Sequence, residues 1–183
     1  MRLDLHNHTR HSADGVMTPG FLLSTAALRG LGCVAVTDHG SLRGALECQE
    51  LALKDPALPR VIPGEEIRTT VGEIIGLYLH REIAEGLPPE EAVAAIRAQG
   101  GLVMLPHPFD GIRRGVVVPE WREPLALMAD VVEVWNGRLL RPADWRRALE
   151  LAARTGRPFA AGSDAHYPGE VGRSWLEVPP GSA

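Results

Sequence analysis

The feature that most restricts the fold is an alternation. Short apolar runs take turns with longer amphipathic stretches from one end of the chain to the other. That order is the pattern of parallel strands joined by crossover helices. In the run over 33–39, Val34 and Val36 share one face while Cys33, Ala35, Thr37 and His39 share the other. Bulky residues toward helices and small ones toward a crowded interior are what a closed parallel sheet requires.

The remaining elements follow in order. Residues 2–8 read as a strand, with Leu3 and Leu5 on one face and Asp4, His6 and His8 on the other. Thr18 and Pro19 are an N-cap and a first helical position, and Gly30 or Gly32 ends that helix. A helix over 42–53 is broken by the prolines at 56 and 59. Strands follow over 61–67 and 73–79, either antiparallel neighbours or successive barrel strands. Pro88, Pro89 and two glutamates open a helix with Ala92, Ala95 and Ile96 as its buried stripe, stopped at Gly100. A strand over 102–105 delivers His107 between two prolines, which restrict its backbone. Residues 109–122 read as a functional loop. A strand over 131–135, a helix over 143–153 and a strand over 159–162 complete the chain. With no internal repeat and no linker, 1–183 is expected to be one domain.

Composition excludes several classes. A formal charge of −4 argues against a surface that coats nucleic acid. No run approaches the ~20 apolar residues of a membrane span, and the N-terminus lacks the pattern of a signal sequence. Two cysteines in apolar segments make a disulfide framework improbable, so the expected location is cytoplasmic.

The chemistry-bearing residues collect at one kind of place. His6, His8, Asp14, His39, Glu66, His107, Asp164 and His166 all fall at or just past the C-terminal ends of expected strands. In parallel α/β barrels that edge carries the functional groups, because its loops vary without disturbing the core. Imidazoles and carboxylates gathered there are the donor set of a divalent metal centre. Glu65 and Glu66 face opposite ways on an extended strand, so only one of them enters the barrel mouth. Asp4 and Asp38 read as partners that fix ring orientation, and Glu133 and Asn136 end a strand at the same mouth.

These residues carry a resemblance to the PHP family, named for its polymerase and histidinol phosphatase members. It rests on Asp4-Leu5-His6-Asn7-His8-Thr9, Ser12-Ala13-Asp14-Gly15, Thr37-Asp38-His39, Pro63-Gly64-Glu65-Glu66-Ile67, Pro106-His107-Pro108 and Gly162-Ser163-Asp164-Ala165-His166. The resemblance implies an α/β fold, a distorted (β/α)7-like barrel, with a two- or three-metal centre at the C-terminal ends of the strands.

Carried over residue by residue, one metal would take His6, His8, Asp164 and a bridging Glu66. A second would share Glu66 and take His107, and a third would take Asp14, His39 and His166. The resemblance selects Glu66 over Glu65, which leaves Glu65 toward solvent or a neighbouring helix. Where many members have a histidine before the fourth strand this chain has Glu73, expected as a further ligand, with His80 the weaker alternative. His11 is an outside candidate for the third metal. Glu66, Asp164 and His166 are the expected catalytic residues.

The implied activity is hydrolysis of phosphate esters on a small phosphorylated metabolite, a nucleotide or an oligonucleotide end, by a metal-activated water. Zn, Mn or Fe suits the mixed donor set. Arg113, Arg114, Arg138 and Arg173 are the expected phosphate contacts, since a guanidinium grips phosphate with paired hydrogen bonds. Metal-assisted amide or ester hydrolysis, and a non-catalytic metal-stabilised binding module, are the alternatives.

Overall fold

The computed structural model describes residues 1–112 and 115–179. Its elements in order are β1 (Arg2–Asp4), α1 (Pro19–Leu28), β2 (Cys33–Val36), α2 (Arg43–Lys54), β3 (Arg60–Thr69), β4 (Gly72–Leu77), α3 (Pro89–Arg97), β5 (Leu102–Leu105), α4 (Arg122–Met128), β6 (Val131–Asn136), α5 (Pro142–Thr155), β7 (Phe159–Gly162) and β8 (Leu176–Glu177). The strands form one sheet in the order β7-β6-β5-β4-β3-β2-β1-β8. Beyond Asp4 the chain turns onto the last long strand: Leu5 N donates to Ala161 O at 3.2 Å, Asp164 N to His6 O at 2.7 Å and His8 N to Ala165 O at 2.9 Å. Those bonds bring the first and seventh strands together, so the sheet curls into the expected distorted barrel, nearly closed.

The distortion has a local cause. β1–β2, β2–β3, β5–β6 and β6–β7 are parallel, each joined by a helical crossover, whereas β3–β4 and β4–β5 are antiparallel. Only Thr70 and Val71 lie between β3 and β4, too few for a crossover, so the chain reverses there. Gly72 at φ 136° absorbs the reversal. The alternatives left open for 61–67 and 73–79 thus resolve to antiparallel neighbours.

The core has two apolar compartments. Leu5, Cys33, Ala35, Ile62, Ile75, Leu77, Met104 and Ala160 fill the barrel. Val34, Val36, Val103, Leu105, Val132 and Val134 face outward and pack under the helices, against Leu22, Leu23, Ala45, Ile96 and Ala148. The expected division of small inward and bulky outward residues on β2 therefore holds. Thr18 caps α1 by accepting from Phe21 N at 3.2 Å, and Gly156 ends α5 in the left-handed region. Cys33 and Cys48 are buried free thiols.

Two expectations for regular structure need correction. The strand over 2–8 is regular only through Arg2–Asp4, because the chain beyond bends to close the barrel. Leu5 then fills the interior, and Asp4 touches no imidazole ring: its carboxylate accepts from Ser163 N at 2.8 Å, Gly172 N at 3.2 Å and the His6 backbone N at 3.4 Å. The segment expected as a loop over 109–122 ends in a short 3-10 turn that runs into α4, a seven-residue helix tolerating Pro124 in its first turn.

Candidate metal centre

The expected ligands reach the barrel mouth from several strands. His6 and His8 follow β1, His39 follows β2, Glu66 is on β3, His107 follows β5, and Asp164 and His166 follow β7. His6 Nε2 lies 3.1 Å from His8 Nε2, 3.2 Å from Glu66 Oε2 and 3.6 Å from Asp164 Oδ1. His8 Nε2 is 3.2 Å from Glu66 Oε2 and 3.4 Å from Asp164 Oδ1. The other oxygen of Glu66 faces His107 Nε2 at 3.2 Å, while His39 Nδ1 lies 3.4 Å from Oε2. Asp14 Oδ2 is 3.2 Å from His166 Nε2 and 3.9 Å from His39 Nε2.

Among the described residues, three groups have donor atoms within 4.8 Å of one another: His6, His8 and Asp164; His6, Glu66 and His107; and His8, His39 and His166. His6 and His8 each belong to two groups, so the centre is continuous. The partition differs from the carried-over one in linking His8 to His39 and His166.

The backbone is forced into place here. His107 has φ 25° and Asp164 has φ 54°, conformations that non-glycine residues rarely adopt. The prolines beside His107 and the bond from His107 N to Glu133 Oε2 at 2.9 Å hold the first. Asp164 N donating to His6 O holds the second. At Gly162 a Cβ would lie 2.4 Å from that of His6 and 2.7 Å from Glu133 Oε1, so only glycine lets these side chains meet.

Hydrogen bonding decides which ring nitrogen is bare. The Ser12 hydroxyl donates to Asp38 Oδ1 at 2.8 Å, and Asp38 also accepts from Thr9 N and Thr9 Oγ1. With its proton committed, Ser12 Oγ is an acceptor for His39 N at 3.0 Å and for His8 Nδ1 at 3.0 Å. His8 therefore carries its proton on Nδ1 in the neutral state and presents a lone pair on Nε2. Glu133 Oε1, 3.1 Å from His6 Nδ1, fixes His6 likewise.

Electrostatics without metal follow from this crowding. Burial pulls the His6 pKa down, but Asp164, Glu66 and Glu133 outweigh it and the ring sits well above its ordinary value. His8 rises to about 9 against the same burial, through Asp164 and Glu66. Burial and the neighbouring His8 push His166 down to about 4, and burial lowers His39. Burial alone would raise Glu66, yet the surrounding imidazoles hold it well below the usual carboxylate range. Burial, then the charge of Glu66, lifts Glu73 to about 7.

The centre floors a cavity of about 780 Å³ lined by Asp14, His39, Glu66, Glu73, His107, Arg138, Asp164 and His166 among others. Glu73 is buried against Gly115, but it is in none of the three groups. Asp14 stays largely exposed. Arg138 NH1 is 2.8 Å from His166 Nδ1 and 3.8 Å from Asp164 Oδ1. Arg173 does not line this cavity; it faces a second one, its Nε donating to Gly169 O at 3.1 Å. Arg113 and Arg114 lie outside the described residues. His11 pairs instead with Glu47 at 3.2 Å, and His80 is exposed, so neither joins the centre.

Glu65 requires a correction. It is fully buried rather than facing solvent, because the segment after β4 folds over the outer face of β3 and Ile83 N donates to Glu65 Oε2 at 3.0 Å. Sequence reasoning missed Ser12 as an orienting group and Arg68 in the cavity wall. Arg68 had a signal, since residues two apart on a strand share a face and Glu66 was already placed.

The PHP domain profile matches residues 4–105 and a PHP-associated profile matches 142–183. An uncharacterized protein of Methanocaldococcus jannaschii, MJ0417, is 38% identical over 181 residues, covering 97% of this chain and 70% of the relative. Among solved structures, an amidohydrolase from Chromobacterium violaceum with bound sulfate and no metal superposes with a TM-score of 0.76 at 20% identity, over 98% of this chain and 93% of that one. A candidate metal-dependent phosphoesterase from Bifidobacterium adolescentis gives 0.75 at 19% identity, over 91% and 88%. With a matching profile across more than half its length and a relative aligned along nearly all of it, the chain belongs to the PHP domain family.

Proposed function

We propose that the protein is a metal-dependent hydrolase of phosphate esters, acting at the barrel mouth. The observation that carries this reading is the set of three histidine and carboxylate groups sharing His6 and His8, with Arg138 beside them. The residues fit divalent transition ions: the donors are imidazole nitrogens and carboxylate oxygens, and two rings held through Nδ1 would, once neutral, present Nε2 lone pairs inward. His6, His8, Asp164 and Glu66 would hold one ion, Glu66 and His107 with Glu73 a second, and His39, His166 and Asp14 a third. Zn, Mn or Fe would supply Lewis-acid polarisation of phosphoryl oxygens and a more acidic water.

The chain's own contribution is positioning. Glu66 directs one oxygen to each side of the centre, which holds two groups at a fixed separation. Arg138 reaches the cavity from the β6–α5 loop and is placed to donate to a phosphate oxygen. Burial and His8 push the His166 pKa down to about 4 in the metal-free protein, which favours the neutral ring that a metal ligand requires. A phosphoesterase is also the activity named for the Bifidobacterium neighbour, and an amidohydrolase that for the Chromobacterium one, so amide cleavage is the competing reading.

The test is elemental analysis of the purified protein, followed by assay of free phosphate from sugar phosphates and nucleotides, and of an amide panel, with Mn, Zn or Fe restored. Phosphate release abolished by chelation and by Glu66→Gln is expected. Amide cleavage without phosphate release would overturn the proposal.

A further inference from the structure

Glu170 lies in the turn just beyond the last expected ligand, in the run His166-Tyr167-Pro168-Gly169-Glu170. One oxygen of its carboxylate holds backbone: Oε2 accepts from His166 N at 2.9 Å and from Tyr167 N at 3.2 Å. The other faces guanidinium groups, with Oε1 3.9 Å from Arg138 Nε and 4.0 Å from Arg173 NH1. The Glu170 side chain is only 16% exposed, so these contacts are largely shielded from water. A single carboxylate thus meets the backbone of an expected metal ligand and the arginine beside the same centre.

The turn itself is fixed from other directions. The Arg29 guanidinium donates to Val171 O and, at 3.2 Å, to Pro168 O, and Gly172 N donates to Asp4. On the arginine's side, Gly137 lets the two turns approach, since a Cβ there would lie 2.8 Å from Ser163 O and 3.1 Å from Arg173 Cβ. The meeting of Arg138 and Glu170 is therefore built into the backbone.

The hydrogen bonds of His166 explain why Arg138 needs this partner. His166 Nδ1 lies 2.9 Å from Asp164 O and 2.8 Å from Arg138 NH1. The carbonyl requires a proton on Nδ1 and the guanidinium requires a lone pair, so one nitrogen cannot serve both. Nε2 faces Asp14 Oδ2 at 3.2 Å, on the side of the third ligand set proposed above. An ion held there takes the Nε2 lone pair and leaves the proton on Nδ1, which satisfies Asp164 O. Arg138 then loses its nearest acceptor. Asp164 Oδ1, 3.8 Å from Arg138 NH1, belongs to the ligand set as well. Among the described residues, Glu170 is the acceptor that remains to this guanidinium, and it is in none of the three ligand groups.

We infer that Glu170 is the positioning residue of the phosphate contact: it holds Arg138 at the cavity when His166 binds an ion, while its other oxygen fixes the His166 backbone. The inference rests on the phosphoesterase reading, which makes Arg138 that contact. The alternative is plain repulsion. A carboxylate that did not orient Arg138 would only oppose a phosphate nearby, and neutralising it would tighten phosphate binding. The two roles predict opposite signs.

The test uses Mn-loaded protein, with inorganic phosphate as the probe in isothermal titration and a chromophoric chelator to measure metal affinity. Glu170→Gln keeps an oxygen for His166 N and Tyr167 N but removes the charge that faces Arg138. Phosphate affinity is expected to fall by roughly 2- to 5-fold, the size of a partly exposed ion pair, with metal affinity held within about twofold. In an Arg138→Ala background the same substitution should no longer weaken phosphate binding, an outcome that a merely structural role does not give. Glu170→Ala loses both contacts and should lower metal affinity as well, by about tenfold or more. No phosphate binding by wild type, unchanged or tighter binding in Glu170→Gln, or an equal loss with and without Arg138 would overturn the inference. Phosphate release from sugar phosphates and nucleotides, assayed on the same proteins, separates the two readings. If no ester is hydrolysed while the Glu170 effects on inorganic phosphate hold, the phosphoesterase reading fails and the positioning role stands. If esters are hydrolysed while Glu170→Gln binds phosphate as wild type does, the positioning role alone fails.

Discussion

The Ser12 hydroxyl accepts a hydrogen bond from His8 Nδ1 at 3.0 Å because its own proton is given to Asp38 at 2.8 Å. One small side chain thereby sets the tautomer of a central imidazole and, through His39 N, the approach of a second. Ser12→Ala leaves His8 free to take the wrong tautomer. Groups that orient a metal-bound histidine typically contribute 10- to 100-fold in metal affinity. The expected result is a loss of about that size in competition with a chromophoric chelator, with the far-ultraviolet circular dichroism unchanged. Wild-type affinity in the variant would remove Ser12 from the centre's machinery.

Metal binding should release protons. In the metal-free protein His8 sits at about 9 and His6 is raised above its usual value, so the centre holds protons that an ion must displace. An ion needs their Nε2 lone pairs, so apparent affinity rises with pH up to about 9, roughly tenfold per unit for each proton displaced. Stability of the metal-free protein runs the other way. A histidine raised from 6.5 to about 9 contributes stability that is complete below 6.5 and lost as pH climbs through 9. Titration calorimetry in buffers of different ionisation enthalpy counts the protons. An enthalpy independent of buffer at pH 7 contradicts this account.

The two arginines after β6 and β7 should behave differently. Arg138 lines the metal cavity and Arg173 lines the neighbouring one. Arg138→Ala is expected to lower kcat/KM for ribose 5-phosphate by about 1.5–3 kcal/mol equivalent, the range for a hydrogen bond to a charged group. Arg173→Ala should leave that substrate within about twofold, because Arg173 lies outside the metal cavity. Steady-state kinetics on the two variants decides the matter, and a reversal of the two effects would reassign the phosphate contact.

His6, His8, His107, Asp164 and His166 were legible because each follows a strand end, and strand ends follow from hydrophobic periodicity, whereas Glu66 lies inside β3, which runs on to Thr69. Lining of the barrel by Cys33 and Ala35 was legible for the same reason. Asp4 was misread because a period of two holds only while a strand stays regular, and barrel closure ends β1 at that residue. The divergence of Arg138 and Arg173 was invisible, since both follow strands and only the three-dimensional course of their loops separates them. The resemblance supplied the choice of Glu66 over Glu65; periodicity showed only that the two face opposite ways. What covers the opposite face depended on a contact with Ile83, eighteen residues away.

Glu65 gives the sharpest stability prediction. Burial lifts its pKa from 4.5 to about 7; the bond from Ile83 N opposes that, and Glu82 and Glu85 reinforce it. Its Oε1 accepts no hydrogen bond among the described residues, so the ionised form is poorly compensated. A carboxyl raised in the folded state holds its proton more tightly there than in the unfolded chain. Its contribution is therefore complete below pH 4.5 and lost as pH rises through about 7. The loss is on the order of 2–3 kcal/mol, or roughly 5–10 °C in Tm for a chain of this size. Glu65→Gln has the same shape and cannot ionise. Metal-free wild type and variant should melt together near pH 5, with the variant the more stable by pH 8, while its metal content when loaded remains that of wild type. Thermal melts across this range test the account, and a gap that stays constant with pH would show that Glu65 is not the titrating group.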